Sequence, residues 1–280
     1  MPVTELRIIY EDDVLLACDK PAGLLVHGDG TGAPTLTDAV AAHLSATGCA
    51  GVRPQAVQRL DRETTGLVLF SLDRATQPAL DAQVGGHAMG KTYLAVVRGR
   101  FPGGERVVDA PIGRDRHDSH RMRACRPGQG KPARTLVRPV AEEGGRTLLL
   151  VQLVTGRRHQ IRVHLASLGF PLVGDELYGG ARSAAGLLLH AWREGVDHPV
   201  TGERLRLETA WPTRLWPTCP PGASRPLAFP PRAPSRTHFS PTCAILGKPR
   251  RGASEGERRQ SEQPGEGHLW PTPCVACTPT

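Results

Sequence analysis

The length, composition and charge of the chain are those of a soluble globular protein. Its 280 residues are 39% hydrophobic and 22% charged, and no apolar run reaches the length of a membrane span. Residues 1–10 lack the apolar core of a secretion signal, so a cytoplasmic protein is expected. The net charge of +8 favours an anionic partner such as nucleic acid, but charge alone does not establish RNA binding.

The first hundred residues predict several strands and two helices. A helix is expected to start after Thr35 or Thr37, either of which can cap it, and a second starts near Gln77 with Pro78 in its first turn. Runs of apolar residues predict strands over residues 6–10, 14–19, 67–70 and 91–98. Alternation along the last of these strands places Tyr93, Ala95 and Val97 on one face and Leu94 and Val96 on the other.

The second half of the body predicts more strands and one further helix. Residues 147–154 are almost wholly apolar, as expected of a central strand, and shorter strands follow over residues 187–190 and 204–208. A helix is expected from about Arg157 to Leu168, ended by Gly169. On it Arg158 and Arg162 would share one face, and the apolar face would comprise Ile161, Leu165 and Leu168. The pattern is that of an α+β protein dominated by strands.

The composition changes at Pro217. Of the 26 prolines, 12 lie beyond this residue, and apolar periodicity disappears there. Such a segment cannot bury enough apolar surface to offset the entropy of ordering, so we predict a catalytic domain over residues 1–217 and a disordered Pro/Arg/Gly-rich tail over residues 218–280.

One short segment concentrates the chemistry. Residues 57–69 read Val-Gln-Arg-Leu-Asp-Arg-Glu-Thr-Thr-Gly-Leu-Val-Leu and place Asp61 between Arg59 and Arg62, just before the strand over residues 67–70. Flanking cations favour an ionised carboxylate, which suits nucleophilic or general-base work. The alternative is a surface turn in which Asp61 pairs loosely with one of the two arginines.

This segment resembles the motif His-Arg-Leu-Asp-x-x-Thr-Ser-Gly-Leu of the RluA-like family of pseudouridine synthases. Further segments resemble that family in the same order, over residues 91–99, 155–164, 174–179, 187–191 and 198–203. The resemblance covers about residues 6–217. It is specific because several ordered segments match rather than one.

The resemblance implies the pseudouridine synthase fold: a mixed, mainly antiparallel sheet in two halves with a central RNA-binding cleft. Many relatives carry an N-terminal S4 RNA-binding domain, which is not expected here because the resemblance begins near residue 6. The implied reaction breaks the bond between uracil N1 and ribose C1′, turns the base and rejoins it through C5. This isomerisation requires no redox change, so no cofactor and no metal are expected.

The resemblance assigns three catalytic residues. Asp61 is the catalytic carboxylate. Tyr93 is the platform on which a flipped uracil stacks, although an isolated tyrosine on a half-buried strand is otherwise a core residue. Arg162 is the cation whose planar guanidinium pairs with the Asp61 carboxylate and holds it in place, although arginines on helices are commonly exposed to solvent.

Four further cations are predicted RNA contacts. Arg59 would occupy the space left by the flipped nucleotide or hold its phosphate, and Arg157, Arg158 and Lys91 would contact phosphates; each could equally be a solvated surface charge. Gln58 departs from the family motif, which has histidine there, and an amide cannot titrate near neutral pH.

The function predicted from the sequence is therefore isomerisation of uridines in structured RNA, with large-subunit ribosomal RNA as the first expected partner and tRNA as the second, by a monomeric enzyme. Two alternatives remain. One is an RNA-binding protein of the same fold that has lost catalysis, for which Gln58 is the visible hint. The other is a hydrolase using Asp61 and a histidine such as His190, which lacks a recognisable triad context.

Overall fold

The computed structural model describes residues 6–224. Within this range the strands are β1 Arg7–Glu11, β2 Leu15–Lys20, β3 Gln55–Ala56, β4 Thr65–Ser71, β5 Gly90–Arg98, β6 Arg106–Asp109, β7 Ile112–Arg114, β8 Met122–Ala124, β9 Arg134–Glu143, β10 Arg146–Leu153, β11 Leu189–Asp197 and β12 Arg204–Glu208. The α-helices are α1 Leu36–Ala46, α2 Gln77–Gly85 and α3 Gln160–Ser167, and short 3-10 helices cover Glu176–Tyr178 and Pro221–Ser224.

In the described part of the chain, ten of the strands form one mixed sheet in the order β1-β2-β4-β11-β5-β10-β9-β6, with β3 also paired to β4 and β12 to β11. Its pairs are antiparallel except β4 with β11, which run parallel. Gly66 is required at this junction: its φ is +111°, and a Cβ there would lie 2.2 Å from the carbonyl oxygen of Ala191. The predicted α+β fold is confirmed.

The two faces of β5 enter different apolar cores, as its alternation predicted. Tyr93, Ala95 and Val97 belong to the larger core, which includes α1 and α2 through Leu36 and Leu80. Leu94 and Val96 lie in a second cluster with Trp192 and Trp216. Strand β5 therefore contributes to both cores, and its face on the larger core carries Tyr93.

The capping predictions for the first two helices are confirmed. Thr35 caps α1 by accepting from the backbone N–H of Asp38, while the Asp38 carboxylate accepts in return from the Thr35 backbone. Pro78 lies in the first turn of α2. Strand β11 differs from its prediction, because it begins at Leu189 and continues past His190 to Asp197, where it pairs with β12.

The third helix is shorter than predicted. It begins at Gln160 rather than Arg157, because His159 adopts a left-handed backbone conformation with φ of +56° that interrupts the helical path. Arg158 therefore lies before the helix. The prediction that Arg158 and Arg162 share one face of this helix was wrong. Leu168 is 39% exposed at the end of the helix, so the predicted apolar face is limited to Ile161 and Leu165.

Packed structure continues beyond the predicted domain boundary at Pro217. Ala223 is buried in the cluster that contains Trp216, and the carbonyl of Gly222 accepts a hydrogen bond of 3.1 Å from Arg138. The remainder of the predicted disordered tail, residues 225–280, lies outside the described residues, so the two-part division remains a prediction. No helix within residues 6–224 combines the length and apolar character needed to cross a membrane.

A buried histidine makes stability depend on pH. His190 is enclosed, and its two ring nitrogens contact the hydroxyls of Thr65 at 2.8 Å and Thr209 at 2.7 Å. Burial, and then the charge of Arg214, lower its pKa from 6.5 to about 4. Below pH 6.5 the unfolded chain binds a proton there that the folded protein does not, so stability present above that pH is lost as the pH falls towards 4.

We therefore expect His190 to make the free energy of unfolding fall by about 2 kcal/mol between pH 7 and pH 5. Urea denaturation of the wild type and of His190→Gln at both pH values isolates this contribution, because all other histidines are common to the two proteins. The free-energy difference between them should shrink on acidification. Parallel pH dependences would contradict the assignment.

Candidate active site

A cleft of about 920 Å³ opens on the larger core. This volume is near the upper end of ordinary ligand pockets, which are roughly 300–1,000 Å³. Its walls come from the loop between β3 and β4, from β5, and from the turn that leads into α3. The predicted site residues all line it, namely Asp61, Tyr93, Arg162, Arg59, Lys91, Arg157 and Arg158.

The loop that carries Asp61 is held in place by the buried side chains of Leu60 and Lys20. Leu60 is buried in the core, which leaves its neighbour Asp61 at the cleft surface. The ammonium of Lys20 is wholly buried and donates hydrogen bonds to the carbonyls of Pro21 at 2.8 Å, Leu24 at 2.8 Å and Arg62 at 2.9 Å. Lys20 thus ties two loops together, a role that the sequence analysis did not identify.

The buried position of Lys20 affects its charge. Burial lowers its pKa to about 8, although Glu63, Asp61 and Asp19 oppose this shift. A cation bound to three carbonyls is therefore held beneath the Asp61 loop, and loss of its proton would weaken those bonds.

Arg162 joins two carboxylates. Its Nη1 donates to Asp61 Oδ2 at 3.2 Å, while Nε and Nη2 donate to the two oxygens of Asp175 at 2.8 and 2.7 Å. The Asp175 side chain is 0% exposed. Burial alone would lower the pKa of Arg162, but Asp175 and then Asp61 raise it, so the guanidinium remains charged. The predicted contact between Arg162 and Asp61 is present, and Asp175 orients the planar fork.

The alternative of a loose surface turn does not match this geometry. The Arg62 guanidinium donates to the carbonyl of Gly23 at 3.0 Å, whereas Asp61 contacts Arg162 across the cleft. The hydrolase alternative also lacks support, since His190 contacts Thr65 and Thr209.

The other oxygen of Asp61 faces a histidine. His159 Nε2 lies 3.8 Å from Asp61 Oδ1, and His159 Nδ1 lies 2.7 Å from the hydroxyl of Tyr178. Arg162 lies over the Tyr178 ring at 5.1 Å from its centroid. Asp61 is therefore flanked by two side chains that both contact Tyr178.

Tyr93 lies beside a second buried carboxylate. Burial, and then the charges of Glu194 and Asp61, raise the pKa of Tyr93, which keeps its phenol neutral. Burial raises the pKa of Glu194 to about 7, opposed by Lys91 and by the amide of Gln58, which donates a hydrogen bond to this carboxylate. Gln58 is the residue that stands where the family motif has histidine, and its contact joins it to Glu194, 136 residues further along the chain.

The predicted RNA contacts differ in how they are held. Arg157 Nε donates to the carbonyl of Pro132 at 2.9 Å, and Arg158 Nη2 donates to that of His120 at 3.2 Å. Arg59 is exposed at the cleft. The contacts to protein carbonyls leave the charges of Arg157 and Arg158 available to phosphates, and their role in RNA binding remains a prediction.

Comparison with known proteins assigns the family. A sequence profile described as RNA pseudouridylate synthase matches residues 14–167. The chain belongs to the RNA pseudouridylate synthase family. It is 42% identical over 221 residues to the ribosomal large subunit pseudouridine synthase D of Nitrosomonas europaea, covering 74% of this chain and 62% of that protein. It is 37% identical over 219 residues to the uncharacterized RNA pseudouridine synthase YhcT of Bacillus subtilis, covering 77% of this chain and 72% of that one.

A solved structure of a pseudouridylate synthase has the same fold. The human RNA pseudouridylate synthase domain containing 1 superimposes with a TM-score of 0.64 at 24% identity, covering 77% of this chain and 88% of that one. The predicted family and enzyme class, an RNA pseudouridine synthase, are confirmed at the level of this family. The roles of individual residues rest on the geometry above and remain predictions.

Sequence reasoning missed part of this family member's site. The segment over residues 174–179 was recognised as a match, but no role was assigned to Asp175 or Tyr178 within it. No role was assigned to His159 either. Among the described residues, no group of three or more His, Cys, Asp and Glu side chains could hold a metal ion.

Proposed function

We propose that this chain isomerises specific uridines of large-subunit ribosomal RNA to pseudouridine and that Asp61 is the carboxylate on which the reaction depends. The observation that carries the proposal is the pairing of Asp61 with the guanidinium of Arg162, itself fixed by the buried Asp175, at the surface of the cleft. An ionised carboxylate held by a charged fork is suited to attack or to remove a proton.

The remaining cleft residues supply what the reaction needs. Tyr93 offers a neutral aromatic face on which an extruded uracil stacks, and burial in β5 fixes its position. Arg59 stands at the exposed side of the cleft, where it would replace or hold the extruded nucleotide. During the reaction the N1–C1′ bond breaks, the C5–C1′ bond forms, C5 loses a proton and N1 gains one, so the substrate and product are isomers.

The choice of ribosomal RNA is supported by the names of relatives, among them the ribosomal large subunit pseudouridine synthases D of Nitrosomonas europaea and Pseudomonas aeruginosa. Transfer RNA is the second candidate. Incubating the protein with uridine-labelled fragments of both RNAs tests the proposal. An isomerase produces pseudouridine, a hydrolase releases uracil, and a protein that only binds RNA does neither.

We further propose that the protein acts as a monomer in the cytoplasm. Asp61, Tyr93 and Arg162 all come from one copy of the chain and line one cleft, which supports a site that needs no second subunit. Sedimentation in the presence and absence of RNA tests the monomer. A dimer whose dissociation abolishes activity would contradict it.

Turnover should be independent of metal ions and organic cofactors, because isomerisation at Asp61 requires neither. We expect full activity after exhaustive treatment with a chelator, measured as pseudouridine formed under single-turnover conditions. An RNA whose folding does not require Mg²⁺ serves as the substrate. Activity that returns only on addition of Zn²⁺ or Mg²⁺ would contradict this expectation.

A further inference from the structure

His159 has an unusual backbone conformation beside the Asp61 carboxylate. Its φ of +56° is uncommon for a residue with a side chain, and such conformations cluster at functional sites. The side chain is 9% exposed and lies between Asp61 and Tyr178. The left-handed turn places this ring at the cleft and starts α3 at the next residue.

The hydrogen bonds of Tyr178 orient the His159 ring. The Tyr178 oxygen accepts from the backbone N–H of Met122 at 2.8 Å, which leaves its own proton free to be donated to His159 Nδ1, 2.7 Å away. With Nδ1 as the acceptor of this hydroxyl, the neutral imidazole carries its proton on Nε2, the nitrogen that faces Asp61.

The charge state of His159 agrees with this arrangement. Burial lowers its pKa, Arg162 and Arg158 act in the same direction, and Asp61 and Asp175 oppose them. A neutral ring with its proton on Nε2 can donate to Asp61 without neutralising the negative charge that the reaction needs.

Arg162 and His159 approach different oxygens of the same carboxylate. Arg162 Nη1 is 3.2 Å from Oδ2, and His159 Nε2 is 3.8 Å from Oδ1. The second distance is too long for a hydrogen bond in the free protein. Such contacts commonly tighten when substrate binds, so a small rotation of either side chain would complete a donor for each oxygen.

We propose that His159 is a positioning residue that donates its Nε2 proton to Asp61 Oδ1 when RNA fills the cleft, and thereby fixes the orientation of the carboxylate. This inference rests on the function proposed above. Tyr178 couples the two donors, since its hydroxyl orients His159 and its ring lies against Arg162.

Two substitutions separate this role from a structural one. His159→Asn retains a residue that tolerates the left-handed backbone and an amide oxygen near Nδ1, but it lacks a donor at the position of Nε2. His159→Gln retains a donor near Nε2 but is less suited to that backbone. If only the backbone matters, the asparagine variant is the better enzyme; if the donor to Asp61 matters, the glutamine variant is.

The experiment measures the single-turnover rate of pseudouridine formation at saturating RNA, together with RNA affinity and melting temperature. We expect His159→Asn to be slower by about tenfold or more, towards the ~10²-fold of a misplaced catalytic group, with RNA affinity retained. His159→Gln should recover most of the rate despite a lower melting temperature. A rate for His159→Asn equal to or above that of His159→Gln would overturn the proposal.

Tyr178→Phe provides an independent test if His159→Gln folds poorly. Removing the hydroxyl should slow the wild type, yet add little in the His159→Asn background, because both changes act through the same donor. Fully additive effects would overturn the proposal. A wild-type protein that forms no pseudouridine on any tested RNA would instead refute the proposed function, an outcome distinct from active variants of equal rate.

Discussion

Replacing Asp61 with asparagine is expected to abolish pseudouridine formation. Asparagine keeps the size of the side chain and can still accept from Arg162, but it has neither the negative charge nor the basicity of a carboxylate. Asp61 is partly exposed at the cleft, so the fold should be retained. RNA affinity should also persist, because an amide presents less negative charge to phosphates than the carboxylate it replaces.

A matched control is available in the same loop. Glu63 is an exposed carboxylate two residues further along the chain, and Glu63→Gln removes the same charge without touching Arg162. Single-turnover assays at saturating RNA should give product near the wild-type rate for Glu63→Gln and none for Asp61→Asn. Measurable pseudouridine from a purified Asp61→Asn protein would show that another group performs the chemistry.

Replacing Arg162 with lysine is expected to have the second largest effect on rate. Lysine keeps the charge, but one ammonium cannot contact both oxygens of Asp175 and also reach Asp61 as the guanidinium does. Asp61 would lose its fixed position, and we expect the rate to fall by roughly 10²-fold or more. RNA affinity should change far less, because Arg162 is directed at two carboxylates.

Arg158→Lys is the control for this change. Arg158 is exposed and contacts only the carbonyl of His120 among the hydrogen bonds described for its side chain, so its rate at saturating RNA should be near that of the wild type. The opposite pattern for Arg162→Lys, an intact rate with weak RNA binding, would make Arg162 a contact to the RNA backbone. Asp61 would then need another partner.

The sequence predicted the parts of this protein that are encoded locally. The alternation along β5 placed Tyr93 on the correct face, and the apolar run over residues 147–154 corresponds to β10. The pairing of Asp61 with Arg162 was expected from a resemblance between short motifs, and the structure brings the two within 3.2 Å. Each of these features depends on neighbouring residues or on a recognisable motif.

The features that the sequence did not reveal depend on contacts between distant segments or on unusual backbone. Lysine is ordinarily a surface residue, so nothing marked Lys20 as a buried cation bound to three carbonyls. The contact between Gln58 and Glu194 joins strands and loops far apart in sequence. The positive φ of His159 has no simple sequence signal, and helical periodicity therefore extended α3 too far.

The most direct test of the proposed function is nucleotide-resolution mapping of pseudouridine in the large-subunit ribosomal RNA of three strains: wild type, a strain lacking the gene, and that strain carrying the Asp61→Asn gene. We predict that one or a few pseudouridines disappear when the gene is deleted and remain absent with Asp61→Asn, while the wild-type gene restores them. Identical maps in the wild type and deletion strains, or restoration by Asp61→Asn, would contradict the account.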